Sequence, residues 1–181
     1  MKLIAQETGE PAMPARIARL FPQPAISVPV SLFAVLALTG AWLTTGLRGI
    51  ALSDLPVAVM LLCWVVAAYR FPIHIRRSYK VEMITVSLYL MAVYLPSPAL
   101  AATCAAIGVM AGEMLVRRER GNYYCDVLTA TGRWAIVVLA GATFYHALGH
   151  HPLAPVAAAI VLWACDLLTH PLVIAPMTGE Q

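Results

Sequence analysis

The residues best suited to chemistry in this sequence are Asp166 and His170, two ionisable side chains on one predicted helix face. Asp166 falls inside an apolar run, where a carboxylate is costly and usually pairs with another group or serves a function. His170 follows four residues later, so both side chains project from the same side of a helix. Two interpretations stay open: a satisfied polar contact that fixes this helix, or a site between helices for a ligand or a proton.

Glu113 is the third candidate for contact with a ligand or with a partner's basic loop. Arg117 follows it by four residues, and this spacing favours an ion pair on one face of a helix. Asp126 and Arg133 lie seven residues apart and also share a predicted helix face. We expect Asp126, Arg133 and Arg117 to form structural ion pairs, with each other or with neighbouring helices.

The histidines His146, His150 and His151 form a cluster near the end of another apolar run. His146 and His150 have a spacing that can hold a metal ion. However, Gly149 and Pro152 end the helix there, and no acidic or thiol ligand stands nearby in the sequence. We therefore interpret the cluster as a solvated loop and predict no metal site. The sequence also has no P-loop, GxGxxG, GxSxG or HExxH motif, so we predict neither a catalytic residue nor a cofactor.

The composition indicates what kind of scaffold carries these residues. Of 181 residues, 61% are apolar and only 12% are charged, with a mean hydropathy of +0.78. Soluble domains are usually about 25% charged. A water-soluble protein of this size cannot bury so much apolar surface, whereas a bilayer can cover it. We predict an integral membrane protein.

Six apolar runs are close to the length that a helix needs to cross a membrane, and backbone polar groups in lipid must be satisfied within each segment. The predicted fold class is therefore all-α, a bundle of six transmembrane helices. The runs are 28–46, 50–69, 81–95, 99–116, 127–148 and 153–175. The predicted organisation is a cytoplasmic or interfacial tail over 1–27, the six-helix domain over 28–175 and a cytoplasmic end over 176–181. Pro96 and Pro98 enforce a tight connection between the third and fourth helices.

The basic residues predict the orientation. Eleven of the twelve Lys and Arg residues lie in the N-terminal tail, in the loops after the second and fourth runs, or near that side, and only Arg48 lies in the opposite loops. Positive charge marks the cytoplasmic side. We expect both termini in the cytoplasm and a multi-pass protein of a bacterial inner membrane. Because this topology explains the basic face, we do not predict nucleic acid as a partner.

The fourth run carries a stripe of small residues at helical spacing: Ala101, Ala105, Gly108 and Gly112. Small side chains let two helix backbones approach closely in lipid. The stripe predicts internal helix packing or, alternatively, the seam of a homodimer.

One stretch of the sequence resembles a known type of membrane domain. The resemblance rests on RFPIH at 70–74, LPSPA at 95–99, AIGVMAGE at 106–113 and RRER at 117–120. In this order they resemble the N-terminal multi-helix membrane domain of bacterial signalling proteins, which precedes HD-GYP, GGDEF or histidine-kinase modules. The resemblance implies a non-enzymatic sensor or anchor for a signalling partner.

Two other functions stay open. The chain is also similar to the S components of energy-coupling-factor transporters, which are six-helix proteins of about this length, and that similarity implies binding of a vitamin-type molecule. The third possibility is an accessory structural subunit of a photosynthetic or respiratory complex. The expected partners are the lipid bilayer, a protein partner or second copy in the membrane, and a small hydrophobic ligand.

Overall fold

The computed structural model describes residues 24–45, 51–71, 73–76, 79–81, 83–149 and 151–169. Over these residues the protein is a bundle of six helices with one short two-stranded hairpin. The helices are α1 (Pro24–Thr45), α2 (Asp54–Arg70), α3 (Ile84–Tyr94), α4 (Pro98–Arg120), α5 (Tyr124–Leu148) and α6 (Ala154–Thr169). The hairpin consists of β1 (Ile73–Arg76) and β2 (Tyr79–Val81). The prediction of a helical protein with six helices is confirmed for these residues.

The hairpin between α2 and α3 was not predicted. Its strands are antiparallel, with Ile73 opposite Val81 and His74 opposite Lys80. A basic loop was predicted here, followed by a third helix from residue 81, whereas that helix begins at Ile84. Both strands alternate apolar and polar residues, IHIR and YKV. This period of two is the strand signal, although each run is too short to stand out beside the apolar helices.

Three of the described helical segments are long and apolar enough to cross a membrane: Ile26–Thr45, Pro98–Arg120 and Tyr124–Leu148. The other helices are shorter, with 17 residues in α2, 11 in α3 and 16 in α6. At about 1.5 Å per residue, α3 extends only about 16 Å, compared with about 30 Å for the hydrocarbon layer. Length and composition therefore support three spans among the described helices, and not all of the six predicted.

Contacts between helix ends show that helices consecutive in the chain alternate in direction. Trp42, near the end of α1, donates a hydrogen bond from Nε1 to Oγ1 of Thr103, near the start of α4, at 3.0 Å. The first turns of α1 and α5 meet, because the Thr129 hydroxyl bonds that of Ser27 at 3.0 Å. Helix α1 therefore runs parallel to α5 and antiparallel to α4.

The remaining helix ends follow the same alternation. Arg70 at the end of α2 forms an ion pair with Glu119 near the end of α4, with Nη1 and Oε2 3.0 Å apart. His146 near the end of α5 lies 3.1 Å from the carbonyl oxygen of Leu95, the residue after α3, to which its ring N–H donates. Except for Arg133, the basic residues of the described helices lie at the end where α2 and α4 finish: Arg70, Arg117, Arg118 and Arg120.

The small-residue stripe of α4 packs inside the bundle. Ala101 and Ala105 are fully buried. A Cβ added to Gly108 would lie 3.1 Å from Cβ of Val65, and one added to Gly112 would meet the ring of Tyr69, both on α2. These residues let α4 and α2 approach closely, so the stripe is covered within the chain and is not an exposed seam for a second copy.

Two predicted boundaries need comment. Helix α1 begins at Pro24, before the expected start of the helical domain at residue 28. Residues 1–23 of the predicted tail, and the predicted cytoplasmic end at 176–181, lie outside the described residues.

Candidate functional site

The most unusual polar contact in the bundle is an ion pair between Arg133 on α5 and Asp166 on α6. Arg133 Nη2 donates to Oδ1 of Asp166 and, at 3.1 Å, to the backbone carbonyl oxygen of Asp166. Arg133 Nε donates to Oγ1 of Thr169 at 2.8 Å. The Arg133 side chain is only 7% exposed, whereas that of Asp166 is 34% exposed. Three acceptors on α6 therefore hold a buried cation of α5.

The geometry of α6 explains why its acceptors converge on this cation. Asp166 and Thr169 are three residues apart, so they lie on adjacent turns of one helix face. The Thr169 hydroxyl donates to the carbonyl oxygen of Cys165 at 2.8 Å, which leaves its lone pairs for Arg133. The Arg133 guanidinium also lies 4.8 Å from the centre of the Trp134 ring, at cation–π distance.

A small cavity adjoins the ion pair on the side of α1. Its volume is about 250 Å³. It is lined by Pro29, Val30, Phe33, Arg133, Ile136 and Thr169. A polar group that entered this cavity would meet Arg133 and Thr169 in an otherwise apolar wall.

Asp126 has a different partner from the one that its spacing suggested. Its Oδ2 accepts a hydrogen bond from the backbone N–H of Tyr123 at 2.6 Å, as half of a capping box at the start of α5. Backbone N–H groups in the first turn lack helical acceptors, so a carboxylate there is locally favourable. Asp126 and Arg133 therefore do not pair with each other, because α6 supplies the acceptors for Arg133.

Glu113 and Arg117 also have partners other than each other. Glu113 is buried and accepts a hydrogen bond from the amide of Asn122 at 3.3 Å. Arg117 stacks over the ring of Tyr124 at 3.8 Å from its centre and donates to the hydroxyl of that tyrosine at 3.1 Å. The left-handed residue Gly121, with φ of 72°, ends α4 and turns the chain back. That turn brings Asn122 and Tyr124 beside the last turns of α4, which spacing along one helix could not predict.

Of the histidines named as candidates, His146 and His151 are among the described residues. His170 and His150 lie outside the described residues, so the expected proximity of His170 to Asp166 is not part of the described geometry. His146 bonds the carbonyl oxygen of Leu95. His151 Nδ1 accepts from the backbone N–H of Leu153 at 3.3 Å. His146 and His151 thus interact with backbone groups at the helix ends.

Asp166 and Arg133 were each candidates from the sequence, but their pairing with each other and the contribution of Thr169 were not predicted. A signal was present, since opposite charges inside two consecutive apolar runs each need a partner. Searching for partners across neighbouring helices would have found the pair.

Comparison of the chain with protein-family models, with curated proteins and with solved structures found no match.

Proposed function

We propose that the protein is a non-enzymatic, multi-pass membrane module that anchors a signalling partner and relays to it a change in helix packing. The observation that carries the proposal is the ion pair between Arg133 and Asp166. It joins α5 to α6 through a charged side chain that is itself buried. A ligand or membrane component that competes for either side chain would favour a different position of α6.

The energies are of the right size for such a relay. Breaking a buried ion pair by removing one partner costs about 3–5 kcal/mol. Moving a two-state equilibrium from 1:99 to 99:1 takes about 5.5 kcal/mol. The pair can therefore hold one packing dominant while leaving the other within reach of a ligand. Such a ligand must bind the two packings with different affinity.

The orientation belongs to the same proposal. We place the end that carries Arg70 and Arg117 at the cytoplasmic side of a bacterial inner membrane, with both termini inside. The alternating helix directions and the grouping of basic residues at one end support this orientation. The short helices α3 and α6 then require local thinning of the bilayer or contributions from residues beyond their described ends.

The geometry gives the alternative functions less support. A vitamin-type ligand requires a pocket with several convergent polar groups. The described cavities are all lined mainly by apolar side chains, and among them only the one beside Arg133 has a charged side chain in its wall. The exposed apolar surface that an accessory subunit would use is equally well explained by lipid.

Distances between helices test the relay. Spin labels at Leu115→Cys on α4 and Leu167→Cys on α6, both exposed positions, would report the position of α6 in a background in which the four native cysteines are replaced. In vesicles of phosphatidylethanolamine and phosphatidylglycerol, we expect one dominant distance between the labels. When the labelled protein also carries Asp166→Asn, we expect a second population of distances. Labels at Leu115→Cys and Met60→Cys, which do not involve α6, should report no change.

The outcomes are distinct. An unchanged distance from Leu115 to Leu167 in the Asp166→Asn variant means that the ion pair does not position α6, and the proposal fails. A change in both label pairs means that the ion pair stabilises the whole bundle, which also contradicts a relay confined to α6.

Chemical labelling tests the orientation. Single cysteines at the exposed residues Ala51 and His151 should react with a membrane-impermeant maleimide added to intact spheroplasts. Single cysteines at the exposed residues Met83 and Arg118 should react only after lysis. The reverse pattern, or equal labelling of all four positions, would refute the orientation.

A further inference from the structure

Three cavities between α1, α4 and α5 share one lining residue, Leu128. Their volumes are about 140, 370 and 300 Å³. Because each of them adjoins Leu128, they lie side by side between these helices, and we call the three together the α1–α4 cleft. Val28, Leu32 and Val35 of α1 form one wall, Met110 and Met114 of α4 form the other, and Tyr124, Val127 and Leu128 of α5 form the floor.

The α1–α4 cleft narrows toward the end of α1 and the start of α4. The hydrogen bond between Trp42 and Thr103 ties α1 to α4 beyond its closed end. At the other end, α1 stays on α5 through the contact between Ser27 and Thr129 and leaves α4 uncovered. Its floor runs from Tyr124 to Ala135. At about 1.5 Å per residue, those eleven steps are about 16 Å, close to the depth of one leaflet of a hydrocarbon layer about 30 Å thick.

The positively charged side chain of Arg117 lies at the open end of the α1–α4 cleft. The guanidinium of Arg117 lies over the ring of Tyr124, a floor residue, and donates one hydrogen bond to its hydroxyl. No carboxylate among the described residues forms an ion pair with Arg117. Guanidinium has five N–H donors in a fork that suits phosphate, so most of the donors of Arg117 remain available. The neighbouring Arg118 is exposed and adds positive charge.

We propose that the α1–α4 cleft is a binding site for an anionic phospholipid. One acyl chain lies over Leu128 between α1 and α4, and the phosphate contacts Arg117 at the open end. The match of cleft length to one leaflet and the cation at headgroup depth carry the proposal. It does not depend on the relay through Arg133 and Asp166.

A helix from a second copy or another protein fits the α1–α4 cleft less well. A spanning helix continues through both leaflets, whereas this cleft closes after about one leaflet, a depth of about 15 Å. Close helix packing in lipid uses small residues. Gly108 and Gly112 of α4 are covered by α2, and the larger α4 side chains that line the cleft, Met110 and Met114, are flexible and suited to a mobile chain.

Native mass spectrometry can test the proposal on the purified full chain. The protein would be exchanged into detergent with equal amounts of palmitoyl-oleoyl phosphatidylglycerol and phosphatidylcholine. We expect one retained phosphatidylglycerol, and retention about fivefold weaker in Arg117→Gln, since one basic residue near an anionic headgroup contributes about that factor. Arg117→Lys keeps the charge and should keep most of the preference.

Matched variants separate the α1–α4 cleft from general effects of charge and of size. Arg70→Gln removes a charge at the same end of the bundle, but Arg70 is engaged by Glu119, so lipid retention should not change. Leu128→Trp fills the cleft and should reduce retention, whereas Leu115→Trp, on an exposed part of α4 outside the cleft lining, should not. Circular dichroism of each variant checks that the helices are intact.

Three results would overturn the proposal. Equal retention of the two lipids by the wild-type protein would show only a non-specific lipid shell. Wild-type retention in both folded variants, Arg117→Gln and Leu128→Trp, would place the lipid elsewhere. A dimer that excludes lipid and is disrupted by Leu128→Trp would assign the α1–α4 cleft to a second copy.

Discussion

Gly112 lies directly against the ring of Tyr69, and a Cβ on Gly112 would stand 2.7 Å from Cγ of that ring. Cγ is the near end of the side chain, and Tyr69 is buried, so the ring has little freedom to move aside. The contact sets how closely α4 approaches α2.

The first prediction concerns this contact. Gly112→Ala should destabilise the protein by about 1–3 kcal/mol, because overpacking forces a buried side chain or backbone to shift. Gly40→Ala in α1 is the matched control, since nothing lies within 4 Å of a Cβ added there. Alanine also has the better helix propensity, so the control should be neutral or stabilising. Thermal unfolding of both variants in one detergent measures the difference, and equal stabilities would contradict the packing.

The second prediction uses two threonines on α5. Thr129 is buried and bonds both Ser27 and the carbonyl oxygen of Cys125. The hydroxyl of Thr131 is buried and has no hydrogen-bond partner among the described residues. Thr131→Val should therefore be neutral or stabilising, whereas Thr129→Val should cost about 1 kcal/mol or more, because it leaves the Ser27 hydroxyl with one partner fewer. The unfolding midpoints of the two variants measure this difference in stability. A larger loss of stability for Thr131→Val than for Thr129→Val would be inconsistent with these contacts.

Helix caps give the third prediction. Ser97 precedes α4, and its Oγ accepts from the backbone N–H of Leu100 at 3.2 Å. Ser53 precedes α2 but makes no such side-chain bond. Ser97→Ala should cost about 1 kcal/mol, and Ser53→Ala should cost close to nothing. The comparison is made by denaturant titration, and a similar loss in both variants would exclude a specific role for the Ser97 cap.

Much of the fold was accessible from sequence because its signals are local. The apolar runs that predict helices are long, and Pro96 and Pro98 mark the connection before α4. Only the ends shifted by a few residues, as in α3, which begins at Ile84. The hairpin that precedes α3 carries the alternation of a strand, but in only four and three residues.

The candidate site was less accessible because its contacts join different helices. Spacing along one chain segment suggested Arg117 as the partner of Glu113, and Asp126 as a partner of Arg133. In the structure, Asp126 accepts a hydrogen bond from the backbone N–H of Tyr123. Arg117 donates a hydrogen bond to the hydroxyl of Tyr124, which follows the turn after α4. The Asp126 cap joins residues three apart in one segment, whereas the partners of Arg133 lie on α6 and depend on how α5 and α6 pack.

The last prediction concerns the two members of the ion pair, which should differ in their response to mutation. Asp166→Asn leaves the Arg133 cation buried without a carboxylate, and we expect a loss of about 3 kcal/mol or more. Arg133→Met should cost less, since the Asp166 side chain is 34% exposed and that of Arg133 only 7%.

A double variant completes the cycle. The cycle consists of Arg133→Met, Asp166→Leu and the two combined; the combination removes both charges, and replacing a buried ion pair by apolar side chains is often neutral. The double variant should therefore be more stable than Asp166→Leu alone, which is the non-additivity expected of residues in direct contact. Denaturation of all the variants under one set of conditions gives the coupling energy. Strictly additive losses would mean that the two side chains stabilise the bundle independently, and the contact between α5 and α6 would then not be the one that holds α6.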